Sequence, residues 1–165
     1  MTDPLAIVVR RARAEDLPAI LAIERVSFTD PWSRGSFAAL LEQPRVHFAV
    51  ALDGDGGALL GYTVAWFVVD EAELANLAVT PEARGKGIGA LLLKGAIEAS
   101  DARGSEAMYL EVRASNQSAI ALYTAHGFSE VGRRRSYYRR PVEDALILRR
   151  TVTRHPDTTH DTQRK

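Results

Sequence analysis

From residue 73 to residue 128 the hydrophobic period switches from two to 3.6, back to two, and again to 3.6. Residues 73–79 (ELANLAV) read as a strand and a glycine-rich loop follows. Residues 87–102 carry the apolar spacing of a helix, residues 107–112 (AMYLEV) read as a strand, and residues 116–126 as a second helix that Gly127 is placed to end. Strand, helix and strand in direct succession call for a parallel strand pair with the helix crossing one face of the sheet. The rest of the chain must be fitted around that unit.

What precedes it is strand 6–10, a helix opening on Glu15, Asp16 and Pro18, a loop through Pro31, and a short helix that Ser33 can cap, with Phe37, Leu40 and Leu41 on one face. Residues 46–52 and 58–69 flank the turn cluster Asp53-Gly-Asp-Gly-Gly57 as a hairpin, and a third strand, 73–79, follows a tight acidic turn. Residues 128–138 and 144–149 read as the last strands. The prediction is a single α/β domain over residues 1–150, with a mostly antiparallel sheet, one parallel pair and flanking helices. Residues 151–165 are almost wholly polar and are expected to form a disordered tail.

A chain of 165 residues suits one domain. The complete absence of cysteine excludes a thiolate nucleophile, an acyl-cysteine intermediate, a disulfide framework and a cysteine-ligated metal, and no metal site is expected. Twenty-one basic residues balance twenty-one acidic ones, so no global field draws the chain to nucleic acid or to an anionic membrane. With no apolar run of membrane-spanning length and no signal-like N-terminus, a soluble cytoplasmic protein is expected.

The loop Arg84-Gly85-Lys86-Gly87-Ile88-Gly89-Ala90 carries the chemistry. Glycines permit positive φ and close approach of a ligand, the N–H groups at a helix start have no partners of their own, and Arg84 and Lys86 add positive charge, so a phosphate or pyrophosphate is the natural ligand. A P-loop is absent, because Gly85-Lys86 is followed by Gly87 rather than Ser or Thr. The dinucleotide pattern is formally met by Gly85, Gly87 and Ala90, but the stretch 80–84 is long for a tight turn and its strand belongs to an antiparallel meander. A purely structural turn is the remaining bland alternative.

Further along, Asn116 is a helix cap by type, and Tyr123, seven residues on, lies on about the same helix face. Glu111 stands between Leu110 and Val112, and a carboxylate in a mostly buried strand is costly unless paired or used. A salt bridge to Arg113 or Arg84 and a catalytic role are both open from spacing alone. His126 precedes the helix-ending glycine, where a histidine suits the dipole.

The pattern R-x-x-G-x-G at Arg84, Gly87 and Gly89 resembles the pyrophosphate loop of the GCN5-related N-acetyltransferases. The runs Leu110-Glu-Val-Arg-Ala-Ser-Asn116, Ala119-Ile-Ala-Leu-Tyr123, Gly127-Phe128, Arg134-Arg135-x-Tyr137-Tyr138, Glu143-Asp144-Ala145 and Phe28…Pro31-Trp32 are similar to the bacterial ribosomal-protein-alanine N-acetyltransferases over most of residues 5–150. The resemblance implies that acetyl-CoA is the cosubstrate. Its pyrophosphate would be held by Arg84, Gly85, Lys86, Gly87, Ile88, Gly89 and Ala90, its pantetheine arm by the backbone of Leu77, Ala78 and Val79, with Asn116 as a further contact. It also implies Glu111 as general base, Tyr123 as general acid, and the N-terminal alanine of a small-subunit ribosomal protein as acceptor. Phe28, Trp32, Tyr137 and Tyr138 could wall the acceptor groove, or pack as ordinary aromatics. The chain departs from the pattern in having Arg84 where glutamine is common and in a short segment 139–142. Lysine, small-amine or aminoacyl-tRNA acceptors are same-fold alternatives, and a non-catalytic acyl-CoA-binding module is one of another class. Between residues 53 and 82 there are six acids and no Lys or Arg, which suits a basic peptide partner.

Overall fold

A computed structural model of the chain describes residues 6–152. The strands are β1 (Ile7–Arg11), β2 (Val46–Asp53), β3 (Leu59–Val68), β4 (Glu71–Val79), β5 (Ala107–Arg113), β6 (Ser129–Arg139) and β7 (Val142–Thr151), and the helices are α1 (Leu17–Ser27), α2 (Arg34–Leu40), α3 (Ile88–Ala102) and α4 (Gln117–Ala125). They build one seven-stranded sheet in the order β1-β2-β3-β4-β5-β7-β6, in which only β4 and β5 are parallel. The expected crossover is therefore present, with α3 carrying the chain from β4 to β5. Neither β7 slotting between β5 and β6 nor β6 as an edge strand follows from local pattern.

Each helix lies where its apolar stripe dictates. Leu17, Ile20, Leu21 and Ile23 of α1 and Phe37 of α2 close over Phe48, Val50, Leu52, Tyr62 and Val64 on one face. Leu93, Ala96 and Ile97 of α3 and Tyr123 of α4 close over Met108, Leu110 and Val112 on the other. Ser33 caps α2 as its residue type predicts, accepting a hydrogen bond from the Ser36 N–H at 3.1 Å. Glu15 and Asp16 do not begin α1. They lie in a 3₁₀ turn (Ala14–Asp16), and the Asp16 carboxylate is spent on Arg10, at 2.7 and 2.8 Å, and on the Arg13 N–H. Thr151 closes β7, and the Val152 N–H donates to the Glu106 carbonyl, so the ordered domain extends past residue 150. The rest of the expected tail lies outside the described residues.

Two irregularities shape the centre of the sheet. The β4–β5 pairing lasts three residues, Glu71↔Ala107, Ala72↔Met108 and Glu73↔Tyr109, after which the strands part. On its other side β4 carries a bulge: Val64 opposes Asn76 but Ala65 opposes Leu74, leaving Ala75 as the extra residue. The bulge reverses the phase of β4. Ala72 and Leu74 before it, and Leu77 after it, pack with the α3 cluster, while Ala75 and Ala78 pack with the α1 cluster.

Candidate active site

The gap that opens beyond Glu73 and Tyr109 has backbone on one bank and side chains on the other. The Thr80 N–H donates back to Leu60 on β3 at 2.7 Å, so by alternation the N–H and C=O of Leu77 and Val79 face the gap while those of Ala78 are used in the ladder. Of the three expected strand residues, Leu77 and Val79 thus turn main-chain groups toward the gap, the Val79 carbonyl being taken by Arg84, and Ala78 packs.

At the end of β4 a 3₁₀ turn (Pro81–Ala83) leads into the glycine loop. Gly85 and Gly87 adopt φ of +79° and +83° with nothing within 4 Å of where a Cβ would stand. Gly89 serves close packing: a Cβ there would lie 3.4 Å from the Leu122 side chain. Ile88 is buried, so it can offer a ligand only its main chain. No side chain caps α3, whose N-cap is Gly87, and the first-turn N–H groups point out beside the exposed Lys86. Arg84 does not reach over this turn. Its Nε donates to the Val79 carbonyl at 3.0 Å and its guanidinium to Ser27 Oγ at 3.3 Å, bracing the loop to β4 and α1.

Glu111 leaves β5 on the face away from α4. Its Oε1 is 2.7 Å from Arg134 Nε, so the ion pair foreseen with Arg113 or Arg84 exists, but with a different partner, brought across by β7 and β6. The Glu111 charge also raises the pKa of the nearby Tyr137 phenol. Tyr123 lies under the opposite face, nearly buried, with its ring edge-on to Phe128 at 5.8 Å. Burial pushes its phenol well above the ordinary tyrosine value, and among the described residues no protein group hydrogen-bonds its hydroxyl. Glu111 and Tyr123 thus lie on opposite faces of the sheet, on the side of the gap that β5 borders. Asn116 caps α4, its Oδ1 accepting from the Ala119 N–H and the Ser118 hydroxyl.

On the Glu111 side lies a groove of about 270 Å³ lined by Trp66, Glu71, Glu73, Tyr109, Glu111 and Arg134. Trp32 stacks on Trp66 at 5.9 Å, and Trp66 Nε1 donates to Glu73. Trp32 also contacts Phe37 and is partly core, whereas Phe28 ends α1 half-exposed. Tyr137 and Tyr138 pack edge to face on β6, and Tyr138, its pKa pushed up to about 12 by burial and by Glu111, lies under the Arg113 guanidinium at 4.2 Å. Arg113 holds the two flanking loops together, donating to Thr29 Oγ1 and to the Pro141 carbonyl while pairing with Glu143. A cavity of about 330 Å³ at the far sheet edge surrounds the Arg10–Asp16 pair and contains no acid–base constellation suited to acyl transfer.

Sequence reasoning missed Trp66, Arg113 and Arg134 as site residues. The period-two run Tyr62, Val64, Trp66 carried a signal for the first, but the two arginines depend on strand order and register.

Residues 17–128 match the family model described as Acetyltransferase (GNAT) family. The chain belongs to that family. Relatives include the ribosomal protein bS18-alanine N-acetyltransferase of Escherichia coli strain K12, 39% identical over 137 residues, covering 81% of this chain and 89% of that protein. The N-alpha-acetyltransferase RimI of Mycobacterium tuberculosis is 37% identical over 154 residues, 90% and 94% of the two chains. The crystal structure of the Escherichia coli ribosomal-protein-S18-alanine N-acetyltransferase superposes with a TM-score of 0.81 at 34% identity, over 92% of this chain and 97% of that one. The fold expected for a GNAT chain is therefore the one observed. Among the described residues, no helix is long and apolar enough to cross a membrane.

Proposed function

We propose that this GNAT protein transfers the acetyl group of acetyl-CoA to the N-terminal α-amine of a protein, with the N-terminal alanine of a small-subunit ribosomal protein as the acceptor and the bacterial cytoplasm as its place of work. The observation that carries the reading is the opening of the sheet after Glu73 and Tyr109, with Glu111 on one face and Tyr123 on the other. The names of its relatives support that choice of acceptor.

The residues present fit the cosubstrate. The gap-facing backbone of Leu77 and Val79 suits an amide-bearing arm added like a strand, and the uncapped first turn of α3, with Gly85, Gly87 and Lys86, suits a pyrophosphate. A peptide α-amine has a pKa of about 7.7–8.0, so roughly a tenth is neutral at pH 7, and the base needs only to accept one proton as the N–C bond forms. Glu111 takes that proton once Arg134 yields to the incoming amine. Tyr123 gives its own proton to the departing CoA sulfur as the C–S bond breaks, and the burial that keeps the phenol protonated suits it to that role. The Leu77 or Val79 N–H polarises the thioester carbonyl. Glu71 and Glu73, from the acidic stretch, line the groove that a basic N-terminus would enter.

The test is to incubate the protein with acetyl-CoA and peptides beginning Ala-Arg or Ser, alongside N-terminally blocked lysine peptides, following free CoA and product mass. Transfer to the free N-termini is expected, with Glu111→Gln lowering kcat about 10²-fold at little change in acetyl-CoA affinity. Transfer only to blocked lysine peptides overturns the acceptor, and binding without transfer overturns the activity.

A further inference from the structure

Glu24 of α1 is a carboxylate with 1% exposure on a helix whose other inward residues are aliphatic. Its position explains itself by spacing: Leu17, Ile20, Leu21 and residue 24 fall at i, i+3, i+4 and i+7, the stripe that must face the sheet. Among the described residues no cationic side chain is within ion-pair distance of it. Three donors from three separate elements converge on it instead. They are the Tyr62 hydroxyl of β3, the Asn76 amide of β4 at 3.1 and 3.3 Å, and the Trp32 main-chain N–H of the α1–α2 loop at 3.0 Å.

Stability alone does not call for such an arrangement, because well-packed apolar residues hold a core at least as well as a buried charge. The partners share something else. Asn76 stands beside the bulged residue Ala75 and directly before Leu77, so holding its side chain holds the point where β4 reverses phase. Its carbonyl is held as well, by Thr63 Oγ1 at 3.0 Å. Trp32 ends the loop on the acceptor side, and its ring stacks on Trp66, which in turn fixes Glu73 in the groove. One carboxylate therefore ties the wall of the groove to the strand that lines the gap.

We propose that Glu24 is a positioning residue that sets the Trp32–Trp66 wall relative to the gap-facing backbone of β4, so that engagement of the acceptor depends on a side chain that never touches it. The proposal rests on the reading of the groove as the acceptor site. It makes no demand on the pyrophosphate turn, which Glu24 does not contact.

The experiment compares Glu24→Gln with Tyr62→Phe. The first keeps side-chain shape but weakens the hold on Trp32 and Asn76, and the second removes a hydroxyl that donates to Glu24 and accepts a long 3.4 Å bond from Asn76, while leaving Trp32 and Asn76 their own direct bonds to the carboxylate. The expected result for Glu24→Gln is an acceptor KM raised about tenfold or more, with the acetyl-CoA Kd within about threefold of wild type, whereas Tyr62→Phe lowers Tm and leaves the acceptor KM within about threefold. Glu24→Asp, with the carboxylate withdrawn by one methylene, is expected to act in the same direction and serves if the amide variant does not fold. A second reading is independent of turnover. The chain has two tryptophans, and they are the stacked pair. Loosening the wall should raise acrylamide quenching of their fluorescence and flatten the near-UV dichroism in Glu24→Gln while the far-UV spectrum stays unchanged. In the wild type, the Trp32 amide should exchange slowly with deuterated solvent. Unaltered quenching together with an unaltered acceptor KM overturns the proposal, as do equal rises in KM for the glutamine and Tyr62→Phe variants, or a fast-exchanging Trp32 amide. If the wild type transfers to no N-terminus, the acceptor reading fails, while quenching and exchange still decide whether Glu24 holds the wall.

Discussion

Replacing Tyr123 with phenylalanine should separate stability from turnover. The ring packs in the α3–α4 cluster against Phe128, and phenylalanine keeps that packing. The hydroxyl is hydrogen-bonded by no protein group among the described residues, so its removal leaves no buried partner unpaired, and the stability change should stay within about 0.5 kcal/mol. In a domain of this size that is a Tm shift of about 2 °C or less. Turnover should fall about 10²-fold, the loss of a general acid, which corresponds to about 2.7 kcal/mol of barrier. Burial raises the phenol's pKa, favouring its protonated form, so the proton remains available through the neutral and mildly alkaline range. The wild-type rate should therefore rise with the α-amine near pH 7.7–8.0 and show no fall up to about pH 9. Released CoA can be followed with a thiol-reactive chromogen, and because the chain has no cysteine the protein adds no background. Turnover of the Tyr123→Phe variant within about threefold of wild type, with acetyl-CoA bound equally well, would refute the assignment. An alkaline limb below about pH 9 that disappears in the variant would refute the protonation argument.

Gly87→Ala meets no steric neighbour, so its cost is the positive φ alone, about 1–2 kcal/mol. If the first turn of α3 shifts to relieve it, the acetyl-CoA Kd should rise about tenfold by calorimetry, equivalent to about 1.4 kcal/mol, with the acceptor KM little changed. Charge reversal at Glu71 and Glu73 should raise KM for an Ala-Arg peptide several-fold at low salt and lose its effect near about 0.5 M salt, and a salt-independent effect would disprove steering. Asp16→Asn should cost about 2 kcal/mol at neutral pH in chemical denaturation. Arg10 holds the Asp16 carboxyl below its ordinary pKa, so the stabilisation is complete above the ordinary carboxyl range and is lost as pH falls through the depressed value. The gap between wild type and variant should therefore close in acid.

What the sequence made legible was what local chemistry decides. Gly85, Gly87 and the apolar stripe of α3 announced their loop and helix, and Ser33 and Asn116 announced their caps. Glu111 stood out as a carboxylate among aliphatic neighbours. The same test applied to Glu24, which sits on an apolar stripe two helical turns long, would have marked it too. The bulge was also written in β4, since the inward residues Ala72, Leu74 and Leu77 break their spacing of two at Ala75 and Asn76. Arg134 was out of reach. Its contact with Glu111 exists because β7 is inserted between β5 and β6 and because β6 slips register twice, and no neighbour in sequence records either event.

The three-residue seam between β4 and β5 bears on folding as well as on chemistry. β1–β4 and β5–β7 are the two halves of the one sheet, each contiguous in sequence, joined by so few hydrogen bonds that opening of the seam should be among the least costly sub-global fluctuations of the molecule. A ligand lying along Leu77–Val79 bridges both halves and acts as a removable strand. By mass action it adds about 2.7 kcal/mol at one hundred times its Kd, so resistance to unfolding should rise and fall with cosubstrate supply.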